Sequence, residues 1–73
     1  MNQQIFNMED LARQVLEARK TQGLTQEELA GLSGTGRRFI VDLESGKQTV
    51  QMGKVIKVLA ALGVALIVVT QWK

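Results

Sequence analysis

Between Leu24 and Lys47 the chain reads LTQEELAGLSGTGRRFIVDLESGK, two short helical patterns separated by a link that contains two glycines. No other stretch restricts the fold so tightly. The first pattern opens at Thr25, whose hydroxyl can accept from the Glu28 backbone N–H while the Glu28 carboxylate accepts from the Thr25 N–H, the reciprocal bonds of a capping box. Leu29, Ala30 and Leu32 supply its apolar face. Gly34 and Gly36 flank Thr35, where glycine permits positive φ and lets two helix axes turn sharply at close range. The second pattern runs from Arg37 to about Ser45. Ile40 and Leu43 face one way, while Arg37, Arg38, Val41 and Asp42 fall largely on the other sides of a helix that turns every ~3.6 residues. One face is suited to packing and another is left for a ligand.

The flanks supply two more helices. Asn7 is a good N-cap, Glu9 and Asp10 sit where carboxylates favour the positive end of a helix dipole, and the spacing predicts a helix from about Met8 to Thr21. Leu11, Val15 and Leu16, with Ala12 and Ala18, form its core face. Arg13, Glu17 and Lys20 point to water, Arg13 and Glu17 as an i,i+4 pair, and Gly23 ends the helix. After Ser45-Gly46, a last helix is expected from about Val50 to Leu62 with Thr49 as its N-cap. Its apolar stripe is Met52, Val55, Ile56, Leu59 and Leu62, and Gly63 is its stop.

The tail Val64 to Thr70, VALIVVT, is rich in β-branched residues and reads as a strand with two apolar faces. A lone strand leaves its backbone N–H and C=O groups unpaired and exposes an apolar edge. No other segment looks like its partner, so the economical arrangement is an antiparallel ribbon made with the same segment of a second chain. Val64, Leu66, Ile67, Val68 and Val69 would form that dimer interface. A chain of 73 residues needs such support, because a core of this size removes only about 60% of the unfolded surface from water.

Composition closes off other routes. Without cysteine or histidine, the chain has no disulfides, no usual zinc ligands and no usual general base. No phosphate loop of the form GxxxxGK[ST] occurs, and Gly34-Thr35-Gly36 follows a helix rather than a strand. We therefore expect no catalytic site, no metal and no cofactor. Net charge is +2, but its placement is uneven. Glu9, Asp10, Glu17, Glu27 and Glu28 precede Gly36, while Arg37, Arg38, Lys47, Lys54 and Lys57 follow it. The basic half holds the second helix of the motif, the distribution expected of a nucleic-acid contact. The start MNQQIFNMED lacks the cationic and apolar regions of a secretory peptide, and the apolar run at the end is shorter than the ~20 residues that span a bilayer. The expectation is a cytoplasmic protein without a membrane partner.

Together these elements describe a helix-turn-helix. The order L-T-Q-E-E-L-A, a glycine about five residues on, and I-x-x-L-E-x-G-K resemble the Xre-type helix-turn-helix of the lambdoid phage repressors. The opening I-F-N-x-x-x-L-A and a final apolar strand are most similar to HipB-type antitoxins, encoded beside HipA-type kinases. The resemblance implies a mainly α fold: one lambda-repressor-like domain of four helices over residues 1–73, with residues 64–71 as a β-strand pairing across a homodimer. It also implies that the second motif helix enters the major groove of double-stranded DNA at an inverted-repeat operator. Carried over by position, Gln26, Gly36, Arg37, Arg38 and Asp42 lie at the DNA surface, with Thr35 and Lys47 beside them. Where the family often has Ser or Thr as N-cap this chain has Gly36, so Thr35 is expected to cap one residue earlier.

The function expected is a sequence-specific repressor, the antitoxin of a pair with a HipA-type kinase. A stand-alone repressor, or an interaction module without DNA binding, are the competing readings. Arg37 and Arg38 discriminate, because cations in a first helical turn oppose the dipole and an interaction module has no need of them there. Asp42 would repel phosphate, and so would accept from cytosine N4, orient an arginine, or pair with Arg38. Phe39 is open between packing and a thymine methyl, and Glu44 is expected to bind an arginine or backbone groups. Trp72 is either a cover for the dimer or an anchor for a protein partner.

Overall fold

A computed structural model describes residues 4–67, and they form four helices in the expected order: α1 (Met8–Thr21), α2 (Gln26–Ser33), α3 (Arg37–Glu44) and α4 (Met52–Ala61). The local signals hold at two of the starts. The Asn7 side chain accepts from the Asp10 N–H, and Thr25 and Glu28 make both bonds of the capping box. Gly36 takes the N-cap position of α3 without a side-chain cap bond. Thr35 does not cap: its hydroxyl lies 2.8 Å from that of Ser33, whose own hydrogen goes to the Leu29 carbonyl at 2.8 Å, so Thr35 is the donor. All four helices end alike. At α3, for example, the Gly46 N–H reaches the Leu43 carbonyl and the Lys47 N–H reaches the Asp42 carbonyl, the paired bonds of a Schellman motif. Gly46 reaches a φ of 83° there, which side chains rarely adopt.

The fourth helix starts later than expected, with Gln51 rather than Thr49 at its N-cap position and no side-chain cap bond. Val50 is half-buried against the core from the extended chain ahead of the helix, a position that an earlier start would have rotated away.

Leu11, Val15, Leu29, Ala30, Ile40, Leu43, Val55, Val58, Leu59 and Leu62 form one core cluster. Val15, Leu29, Ile40, Leu43 and Val58 are wholly shielded from solvent, each worth about 1.5–3 kcal/mol of transfer energy. Three expected core positions are corrected. Leu32 points outward and is 64% exposed, because Ser33 occupies the inward position and ties its hydroxyl back to the helix. Met52 and Ile56 lie on the open side of α4, whose buried stripe is Val55, Val58, Leu59 and Leu62. The helix carries two apolar stripes, and a single chain covers one.

On the surface of α1, Arg13 pairs with Asp10 at 2.9 Å rather than with Glu17. The Asp10 carboxylate also accepts from the Phe6 N–H at 3.0 Å, and these two contacts, the backbone bond first, hold its pKa below the ordinary carboxylate value. This clip fixes the segment ahead of α1, leaving Ile5 and Phe6 exposed beside Met52 and Leu66 at the rim of an apolar groove of about 430 Å³. Residues 64–67 run past α4 as irregular, exposed chain. Val68, Val69 and Thr70 of the expected strand lie outside the described residues, as does Trp72.

Candidate nucleic-acid interface

The orientation of α3 is set by a polar contact beneath it. Glu44, at its last turn, takes the guanidinium of Arg19 from α1 in a two-point grip: Arg19 Nε donates to Oε2 at 2.6 Å and Nη2 to Oε1 at 3.0 Å. Arg19 Nη1 donates to the Leu24 carbonyl at 2.8 Å, so one side chain joins α1, the α1–α2 loop and α3. Both side chains are nearly buried, at 11% and 6% exposure. Planar guanidinium and carboxylate match in this geometry, which fixes direction as well as distance. The expectation for Glu44 is thereby met. Spacing marks Arg19 as buried, four residues after Val15 on the buried stripe of α1, but does not mark Glu44 as its partner.

Gln26, at the start of α2, gives an amide N–H to Glu44 Oε1 at 3.1 Å. It is therefore held over the C-terminal end of α3, and its second N–H and its carbonyl make no hydrogen bond among the described residues. Thr35 is half-buried and its hydroxyl proton is engaged by Ser33, so this side chain contributes to the link rather than presenting a free donor. Gly36 is exposed and leads into Arg37 and Arg38. Arg37 makes no ion pair or hydrogen bond among the described residues. Arg38 is 87% exposed and lies 3.4 Å from Asp42 one turn on, while Lys47 Nζ approaches the other Asp42 oxygen at 3.6 Å. The fold thus brings Arg38, Asp42 and Lys47 together, places Arg37 beside them at the mouth of the helix, and seats Gln26 at the far end. Phe39 is half-buried against the core, with the Lys54 ammonium 5.7 Å from its ring centroid, which gives it a packing role.

The electrostatics of this face are one-sided. The first turn of α3 carries no acid, its N-cap supplies no side-chain acceptor, and its leading N–H groups and two arginines share one exposed edge. An anion at that turn meets donors, with the Asp42 carboxylate one turn on as the opposing charge.

A family model described as helix-turn-helix (HTH_3) matches residues 15–69, which include all of α2, α3 and α4. The chain belongs to this helix-turn-helix family. An HTH-type transcriptional regulator of Sinorhizobium fredii is 50% identical over 66 residues, covering 90% of this chain and 87% of the relative. Among solved structures, a chain of the HipA-HipB-O2-O3 complex superposes with a TM-score of 0.88, covering 97% of this chain and 100% of its own length. At 24% identity that likeness establishes the fold. A toxin-antitoxin module from Streptococcus pneumoniae is 37% identical with a TM-score of 0.73, over 85% of this chain and 68% of that one. As a helix-turn-helix family member the chain is a transcriptional-regulator type, and nothing among the described residues forms a metal-ligand cluster or a helix long and apolar enough to cross a membrane.

Proposed function

We propose that this protein is a sequence-specific DNA-binding repressor that acts as a homodimer on an inverted repeat and serves as the antitoxin of a pair with a HipA-type kinase. The observation that carries the DNA reading is the pair Arg37 and Arg38, exposed at the N-terminal edge of α3 with no acid in that turn. Two cations there oppose the helix dipole, a local cost that a DNA ligand offsets with phosphate charge and guanine acceptors. In this reading α3 lies in the major groove, Arg37 and Arg38 reach base edges or phosphates, and Lys47 contacts the backbone. Half-site centres would be about one helical turn, ~10 bp, apart or a multiple of that.

The second copy covers what one chain leaves open. Met52, Ile5, Phe6 and Leu66 around the groove, with the exposed Ile56 one turn on from Met52, offer apolar side chains that a partner's equivalent surface would cover across a two-fold axis. The strand ribbon of Val64, Leu66, Ile67, Val68 and Val69 extends it. Support for the antitoxin role comes from the likeness to a chain solved with HipA and to the toxin-antitoxin module. Trp72 would be the contact offered to the kinase.

Duplexes enriched by the wild-type protein from a randomised library provide the test. Arg37→Ala and Arg38→Ala should each weaken binding to them by about 1–3 kcal/mol if they make bidentate base contacts, with thermal unfolding unchanged. Lys47→Ala should weaken all sequences alike and lower the salt slope by about one. Unchanged affinity in both arginine variants would remove α3 as the reading helix.

A further inference from the structure

Asp42 is an acidic side chain set between the cations Arg38 and Lys47, and its position is not explained by the fold. Its carboxylate touches Arg38 at 3.4 Å and Lys47 at 3.6 Å, both longer than the usual ~2.7–3.2 Å of a hydrogen bond, and it accepts no hydrogen bond among the described residues. With exposed partners, such loose pairs contribute little to stability. The loop after α3 does not need the carboxylate either, since Lys47 is fixed by its own N–H on the Asp42 backbone carbonyl at 3.1 Å, a bond any residue at 42 would accept.

We infer that Asp42 is a specificity gate, a carboxylate that braces Arg38 and Lys47 in the free protein and penalises every DNA site that does not offer it a base amino group. The inference rests on the DNA-binding reading above. In any duplex complex, phosphates draw Arg38 and Lys47 away, and the carboxylate, only 22% exposed, is left facing polyanion with its water removed. Cytosine N4 and adenine N6 are the amino donors that the major groove presents. A site that places one of them at Asp42 restores a partner to the carboxylate. Other sites leave it repelled. The acid lowers affinity for all DNA and lowers it least for the correct sequence, so discrimination rises at the expense of binding strength.

Asp42→Asn keeps the shape and removes the charge. Its affinity for mixed-sequence genomic duplex at ~100 mM salt should rise about tenfold, as expected when one like charge is removed near the backbone. The preference for wild-type-enriched duplexes over mixed sequence should fall by a similar factor. A library reselected with Asp42→Ala, which has neither the charge nor an acceptor for a base amino group, should lose the preference for a cytosine or adenine at one position per half-site. Thermal unfolding should stay within a few degrees of wild type, and Asp42→Glu should recover part of the discrimination. Wild-type selectivity in Asp42→Asn, with wild type itself enriching a defined sequence, overturns the gate and leaves DNA binding intact. A wild-type protein that enriches no sequence overturns both.

Discussion

Glu44→Ala is expected to destabilise the domain by about 3–5 kcal/mol, the cost of leaving a buried guanidinium without its counter-charge. The Arg19 guanidinium would keep a single bond, to the Leu24 carbonyl, at a nearly buried site. Domains of this kind hold only about 5–15 kcal/mol in total, and a 73-residue one belongs at the low end, so the variant should be largely unfolded at 37 °C. The loss reaches the DNA face as well, since Gln26 is held by the same carboxylate. Arg19→Met combined with Glu44→Leu should be far less damaging than either single change, because the burial cost of both charges goes with the pair. Urea denaturation of the four proteins gives the coupling directly. A Glu44→Ala loss under about 1 kcal/mol would show that the grip on α3 comes from Ile40 and Leu43 alone.

Ile67→Lys is expected to abolish dimerisation and, with it, tight operator binding, although it touches none of the DNA-facing residues. In the single chain Ile67 is 74% exposed, so a lysine there meets water and costs the monomer nothing. In the proposed ribbon the same ammonium would be buried without a partner, at several kcal/mol per copy. The substitution therefore separates the two arrangements. Sedimentation equilibrium should find a monomer, less stable than the wild-type dimer, with its inverted-repeat affinity reduced at least a hundredfold through loss of the second half-site contact. A folded, dimeric Ile67→Lys protein would place the interface elsewhere, with the α4 stripe of Met52 and Ile56 the next surface to alter.

Three of the helices were legible because their punctuation is local. Asn7, the Thr25 and Glu28 capping box, and the glycines at 23, 34 and 46 each act within a few residues, and the structure uses them as read. Periodicity also identified Ile40, Leu43, Leu11 and Val15 as core. It could not say what covers an apolar face. Met52 and Ile56 repeat at the same helical interval as Val55 and Leu59, so a stripe destined for solvent or a second chain looks identical in sequence to one that packs within the chain. Leu32 failed for a related reason, since the serine beside it turned out to be the inward residue. The Arg19 and Glu44 pair was out of reach of local rules because its halves lie on different helices, 25 positions apart. Of the DNA face, the arginines were visible as a charge anomaly at a helix start. The Arg38–Asp42 pair follows from i,i+4 spacing, whereas the approach of Lys47 to the same carboxylate depends on the turn after α3, which no spacing rule supplies.

In the proposed complex, α3 and the start of α2 form the surface that meets DNA. Titrating isotope-labelled protein with a wild-type-enriched duplex and following backbone amide shifts tests it residue by residue. The largest changes are expected on Gln26, residues 35–38, Asp42 and Lys47, with α1 and the apolar side of α4 unmoved. Changes centred instead on Met52, Ile56 and Leu66, with Arg37 and Arg38 silent, would contradict it.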